Sequence, residues 1–134
     1  MERTYIMLKP DALQRGISGE IIARIERKGY RITHMKTMQL DEAILREHYA
    51  HIVDKPFFPP TVEYMTSGPV LAMVVEGENV IQGMRTLMGP TKNEDAMPGT
   101  IRGDFASSTT FNVIHGSDVP ENAEIEIRRF FGEV

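Results

Sequence analysis

The chain has 134 residues, 41% hydrophobic and 25% charged, with a net charge of −4. That suits one domain around one core, 1–134, and excludes the broad basic field of a general nucleic-acid binder, so an anionic ligand has to be met by a few placed cations. With no cysteine there is neither a disulfide framework nor a thiolate metal site, and the longest apolar run, Val70 to Val75, is far too short to span a bilayer. The opening "MERTYIMLKPD" carries charges and an early proline and lacks the pattern of a secretory leader. A cytoplasmic, reducing setting is the expectation.

Thr4 to Leu8, "TYIML", reads as a buried strand that Pro10 ends. Ser18 is read as the cap of a helix that runs to Lys28, with Ile21, Ile22 and Ile25 on one face, basic residues in the last turn and Gly29 closing it. "YRITHMKTM" alternates at first and reads as a half-exposed strand. Asp41 caps a second helix, which "DKPFFPP" breaks. Thr61 to Met65 supports one or two helical turns. Val70 to Val75, "VLAMVV", is the most apolar strand. Asn79 begins a helix with Val80, Met84 and Leu87 on one face, ended by Gly89. Gly89 to Thr110 is long and irregular, a length that in so small a domain points to function or mobility. Phe111 to Ile114 reads as a short strand. Asp118 and Glu121 have capping-box spacing, and Ala123, Ile127, Phe130 and Phe131 form the last helix's apolar face. The first and third strands are the continuously apolar ones. They belong at the centre of a ferredoxin-like split βαβ sheet, with a doubly wound parallel sheet as the competing arrangement.

The sequence has no Walker loop, no GxGxxG, no HExxH and no calcium-loop spacing. His48 and His51, three apart on a helix, are read as two solvated histidines. "RGD" at Arg102 to Asp104 is read as a chance tripeptide. "NVIHGSD", Asn112 to Asp118, is different. It puts His115 where a strand hands over to a helix, and Gly116 leaves room beside the ring. Ser117 adds a hydroxyl, and the following helix start favours an anion. Glu126 can fix the ring's tautomer. Histidine can be a covalent nucleophile, and its phosphoramidate keeps a transfer potential close to a nucleotide anhydride, which a serine ester would not. Phosphoryl transfer then needs cations around the phosphate, for which Lys9, Arg85 and Arg102 are candidates.

"NVIHGSD", "PGTIRGDFA", "KPD" after the first strand, "HY" before "KPFF" and "TSGPV" together resemble the nucleoside diphosphate kinase family. The matches stand in family order from Thr4 to Phe131. The resemblance implies a four-stranded antiparallel sheet of the ferredoxin-like type. It also implies a ping-pong exchange in which a triphosphate, usually ATP, phosphorylates the histidine and a nucleoside diphosphate takes the group. Mg2+ arrives on the nucleotide. By resemblance His115 matches the phosphorylated histidine, with transfer through the ring nitrogen nearer the backbone, and Ser117 and Glu126 match the residues that hold it. Lys9 matches a lysine near the transferred phosphate and the sugar 3′ hydroxyl, Asn112 a sugar contact, and Tyr49 a tyrosine beside the histidine. Arg85, Thr91 and Arg102 match phosphate contacts, and Phe57 the aromatic on which the base stacks. Asp118 resembles a position that helps hold Mg2+ through water. Stacking on one ring tolerates any base, so broad base specificity is expected.

Four positions depart from the family pattern: Thr61, where a leucine commonly walls the base slot; Asn93, where a proline is common; and Val119 and Pro120, which predict a shifted helix cap. The chain ends at Val134 without the C-terminal extension of longer members. A homo-oligomer is expected, a hexamer first and a tetramer second, because exposed apolar edges of so small a domain need covering. Two rivals are weighed. An RNA-binding or phosphate-binding module would carry aromatic signature strands, which "TYIML" and "FNVI" do not match. A histidine phosphatase would often have arginine just before the histidine, where Ile114 stands.

Overall fold

The computed structural model describes residues 1–134. Its elements run β1 (Glu2–Leu8), α1 (Pro10–Gln14), α2 (Ser18–Lys28), β2 (Arg31–Met38), α3 (Glu42–His48), α4 (Phe58–Met65), β3 (Val70–Gly77), α5 (Val80–Met88), α6 (Ile101–Phe105), β4 (Ile114–Gly116) and α7 (Pro120–Phe131). The four strands form one sheet in the order β2-β3-β1-β4, antiparallel throughout. This is the ferredoxin-like arrangement, and the two continuously apolar strands do occupy its centre.

Strand alternation sends side chains to two cores. Ile6 and Leu8 pack with Ile21 and Ile25 of α2 and with Val80, Met84 and Met88 of α5. Tyr5 and Met7 point the other way, to Leu45 of α3, Met65 of α4, and Ile127 and Phe130 of α7. β4 lies beside β1 with His115 opposite Met7. Directly opposed residues share a face, so the imidazole is carried to the side of the sheet covered by α3 and α7, while Ile114 and Gly116 face α5.

Several boundaries differ from the sequence reading. Pro10 does more than end a strand: it is the first residue of α1, where its missing N–H has no helical partner to lose. α2 begins at Ser18 without a side-chain cap, whereas Asp41 does cap α3 by accepting from the Ile44 N–H at 3.0 Å. The segment Gly89 to Thr110 is not irregular throughout. It holds α6, capped by Thr100 Oγ1 accepting from the Gly103 N–H at 2.9 Å. The fourth strand is Ile114–Gly116 rather than Phe111 to Ile114. Val113, with φ +64°, and a bond from the Ile114 N–H to the Asn112 carbonyl at 2.8 Å make a γ-turn there. A buried β-branched residue in that conformation is strained, and the turn delays pairing until Ile114. At α7 the cap is indeed shifted: Val119 is the N-cap residue and Pro120 the first helical one. Asp118 does not cap but accepts from Asn122 Nδ2 at 2.7 Å.

Candidate functional site

Around His115 lies a cavity of about 710 Å³. The imidazole is about one-fifth exposed, and its Nε2 lies 2.8 Å from Glu126 Oε1. Glu126 reaches it from α7. Burial works to raise the Glu126 pKa, but the hydrogen bond and charge of His115, then the Ser117 hydroxyl, outweigh it and hold the carboxyl below its ordinary value. An ionised carboxylate only accepts, so the Nε2 proton of His115 donates to it. Ser117 Oγ donates to the same oxygen at 2.7 Å. Ser117 is buried behind the site, and its N–H bonds the Tyr5 carbonyl at 3.1 Å. Two donors on one oxygen thus fix tautomer and ring plane. They leave His115 Nδ1, the nitrogen nearer the backbone, with no hydrogen-bond partner.

Gly116 has a different role from the one read in the sequence. A Cβ there would meet Met88 Sδ at 2.7 Å and Ile6 Cδ1 at 3.1 Å. The glycine makes room for α5 on the core side rather than for a ligand beside the ring.

Lys9 follows β1 and is tied to the γ-turn by its N–H to the Val113 carbonyl at 2.8 Å. Its Nζ donates to Asn112 Oδ1 at 2.7 Å, and Asn112 Nδ2 donates to the Thr109 carbonyl at 3.0 Å. Burial, then the charge of Arg102, lowers the Lys9 pKa to about 7, with Asp11 pulling weakly the other way. Arg102, on α6, is buried. Its Nη1 donates to the Gly89 carbonyl at 2.9 Å and its Nη2 to the Ile114 carbonyl at 2.6 Å, while Nε has no partner. Burial, then Arg85, lowers its pKa to about 10, and it stays charged. Because it pins the end of α5 to β4, its removal would reach the fold as well as the site. Within the "RGD" tripeptide Arg102 is turned inward, while Asp104 pairs with Arg24 at 2.7 Å, so the three are not displayed as one surface unit.

Lys9, Tyr49, Arg85, Thr91, Arg102, Asn112, His115, Asp118 and Glu126 all line this one cavity. The structure therefore gathers residues that the sequence spreads from 9 to 126. Phe57 is not among them. It stands outside, 53% exposed, just before α4. Thr61, one turn on, donates its hydroxyl to the Phe57 carbonyl at 2.8 Å.

Two wall residues escaped the sequence reading. His48 is not solvated but buried, its ring edge-to-face on His115 with centroids 4.8 Å apart. Arg129, one turn beyond Glu126, donates from Nη1 to His48 Nδ1 at 2.9 Å. Only the i, i+3 spacing of Glu126 and Arg129 on one helix hinted at this. His48, His115 and Glu126 bring metal-ligand atoms within 4.8 Å of one another. His115 Nε2 and Glu126 are bonded to each other, and the Arg129 cation beside His48 opposes a dication between them. His51 is exposed and also lines the cavity, outside the His48–His115–Glu126 cluster.

Comparison with known proteins gives one answer. The family model described as nucleoside diphosphate kinase matches residues 2–134. A nucleoside diphosphate kinase of Symbiobacterium thermophilum is 54% identical over 134 residues, covering 100% of this chain and 89% of that protein. One from Thermus thermophilus is 54% identical over 131 residues, 98% of this chain and 96% of that one. Among solved structures, the apo nucleoside diphosphate kinase of Encephalitozoon cuniculi superposes with a TM-score of 0.96 at 47% identity, over 99% of this chain and 90% of that one. A halophilic nucleoside diphosphate kinase from Halobacterium salinarum, in complex with CDP, gives 0.95 at 48%, over 98% and 88%.

Proposed function

The chain belongs to the nucleoside diphosphate kinase family, whose phosphotransfer between nucleotides is its general activity, and from that premise we propose that His115 carries the phosphoryl group through Nδ1. The observation that carries this reading is the pairing of Nε2 with Glu126 Oε1 at 2.8 Å, which leaves the Nδ1 lone pair for attack. Nδ1 attacks the γ-phosphorus of a nucleoside triphosphate, the bond to the β-bridging oxygen breaks, and the diphosphate leaves with that electron pair. The ring now carries phosphate on one nitrogen and a proton on the other, and Glu126 balances its positive charge. In the second half a β-phosphate oxygen of the acceptor attacks the phosphorus, the P–N bond breaks, and the lone pair returns to Nδ1. Lys9, Arg85 and Arg102 stabilise the equatorial oxygens, where charge is spread in the transition state. Thr91 and Tyr49 complete the phosphate pocket, and Asn112 with Lys9 holds the sugar hydroxyl.

Mg2+ prefers oxygen ligands and keeps several waters. Asp118 fits it: the bond from Asn122 holds this carboxyl below its ordinary pKa, and it lines the cavity, so an ionised oxygen faces where nucleotide phosphates would lie. When bound, the ion would neutralise charge on the phosphates.

Phe57 is the base platform in this reading. A single exposed ring stacks on every base, so selectivity among bases is weak. A cytoplasmic setting belongs to this reading through the family resemblance alone. The protein assembles with copies of itself, a hexamer first and a tetramer second. The edge strand β2 supports this, because it leaves Met35 46% exposed beside unpaired backbone.

The decisive experiment mixes pure protein, Mg2+ and γ-labelled ATP, and then adds GDP. Acid-labile, base-stable label on the protein that moves to GTP is expected, and His115→Ala abolishes it. Label released only as free phosphate would instead mean a phosphatase.

A further inference from the structure

Phosphoryl transfer at His115 uses one face of α7, through Glu126. The same face carries Arg129 one turn later, with its side chain 13% exposed. Its guanidinium is held at both ends. Nη1 donates to His48 Nδ1 at 2.9 Å, and Nε lies 3.3 Å from Glu47 Oε1. Arginine is always a donor, so His48 Nδ1 must accept, and the His48 proton must sit on Nε2. His48 itself is packed on three rings: His115 at 4.8 Å, Tyr49 at 4.8 Å and Phe130 at 5.2 Å between centroids, all near perpendicular.

We propose that Arg129 is a positioning residue for phosphoryl transfer, acting through His48: by bonding Nδ1 it fixes the tautomer and ring plane of His48, the wall against which the His115 ring is set. This rests on the reading of His115 as the phosphate carrier. The groups that face His48 are Arg129 and Glu126 from α7, His115 from β4, Lys9 after β1, and Glu47 and Tyr49 from its own segment. Burial first, then His115, drives the His48 pKa down to about 3; Arg129 and Lys9 push the same way, and Glu126 alone opposes them. The tautomer matters because a His48 ring free to turn would no longer hold the His115 ring edge-to-face at 4.8 Å, and the aim of Nδ1 at the incoming phosphorus depends on that ring plane.

Three measurements test this. In the wild-type protein, imidazole 15N shifts should show His48 with its proton on Nε2 and no titration between pH 5 and 8. A proton on Nδ1 overturns the proposal outright, whatever any variant does. In Arg129→Met, which keeps the stem but removes charge and donors, the 15N shifts of His48 should show both tautomers, and the rate of His115 labelling should fall roughly tenfold with KM for ATP little changed. Arg129→Lys, which keeps a cationic donor, should restore both the single tautomer and the rate. If Arg129→Met keeps His48 wholly in the Nε2–H tautomer, or labels at the wild-type rate, Arg129 is a structural residue only and the proposal is wrong. Failure of the His115 reading is separately visible, because then His115→Ala would label like wild type.

Discussion

The two ends of the proposed nucleotide site are built in opposite ways. At the phosphoryl end His115, Arg102 and Lys9 each have their position fixed from more than one side. His115 is held in register against Met7 and bonded to Glu126, Arg102 clamps two backbone carbonyls, and Lys9 is tied to a strained turn. At the base end Phe57 lies in the open just before α4, where the Thr61 hydroxyl bonds its carbonyl. The difference follows from what each end must do. Phosphoryl transfer depends on charges fixed to within a fraction of an ångström before the reaction, whereas a base needs only a flat apolar surface. Substitutions at the first end should therefore reach rate and fold together, and those at the second should reach affinity alone.

The largest effect expected, short of removing His115, is at Arg102. Arg102→Met leaves the Gly89 and Ile114 carbonyls without their charged donor, so urea unfolding should show a loss of about 3 kcal/mol. Single-turnover labelling should fall by roughly 10²–10³-fold. A variant that loses rate with unchanged stability would mean that the clamp does not matter to the fold. Glu126→Gln keeps the shape but removes the negative charge and can present an N–H to the ring. Labelling should drop roughly 10²-fold, with far-UV circular dichroism unchanged. The contrast with the open end is sharpened by Phe57→Ala. Loss of stacking should raise KM for the nucleotide roughly tenfold, leave kcat within about twofold, and leave the melting temperature where it was. A large kcat defect there would collapse the distinction between the two ends.

The smallest effect is one of pH. Lys9, lowered to about 7 by burial and Arg102, loses its proton in the free enzyme as pH rises through that value. kcat/KM, which reports the free enzyme, should decline steadily as pH rises from 7 to 9. Bound phosphates favour the charged lysine, so the corresponding limb in kcat should lie at higher pH. In the linkage sense the unfolded lysine holds its proton up to about 10.5. Between about 7 and that value the unfolded chain binds more protons, so stability of the unliganded protein should rise with pH across the window. A Lys9→Met variant should lack both trends.

Local chemistry in the chain was enough for the four strands and most of the helices between them, the central places of the two apolar strands and the Asp41 cap, but not for α1 or α6. Each of the legible features depends on period, propensity or a capping residue within a few positions. The gathering of Lys9, Arg85, Arg102 and Glu126 near His115 was legible only through the resemblance of scattered motifs. What the tertiary structure alone decided involves distant partners: Arg102 on the Gly89 and Ile114 carbonyls, Met88 beneath Gly116, the γ-turn at Val113 that moved the fourth strand, and Arg129 on a buried His48. These depend on which helix crosses which face of the sheet and at what register, and that is fixed by packing the whole core, not by the neighbours of any one residue.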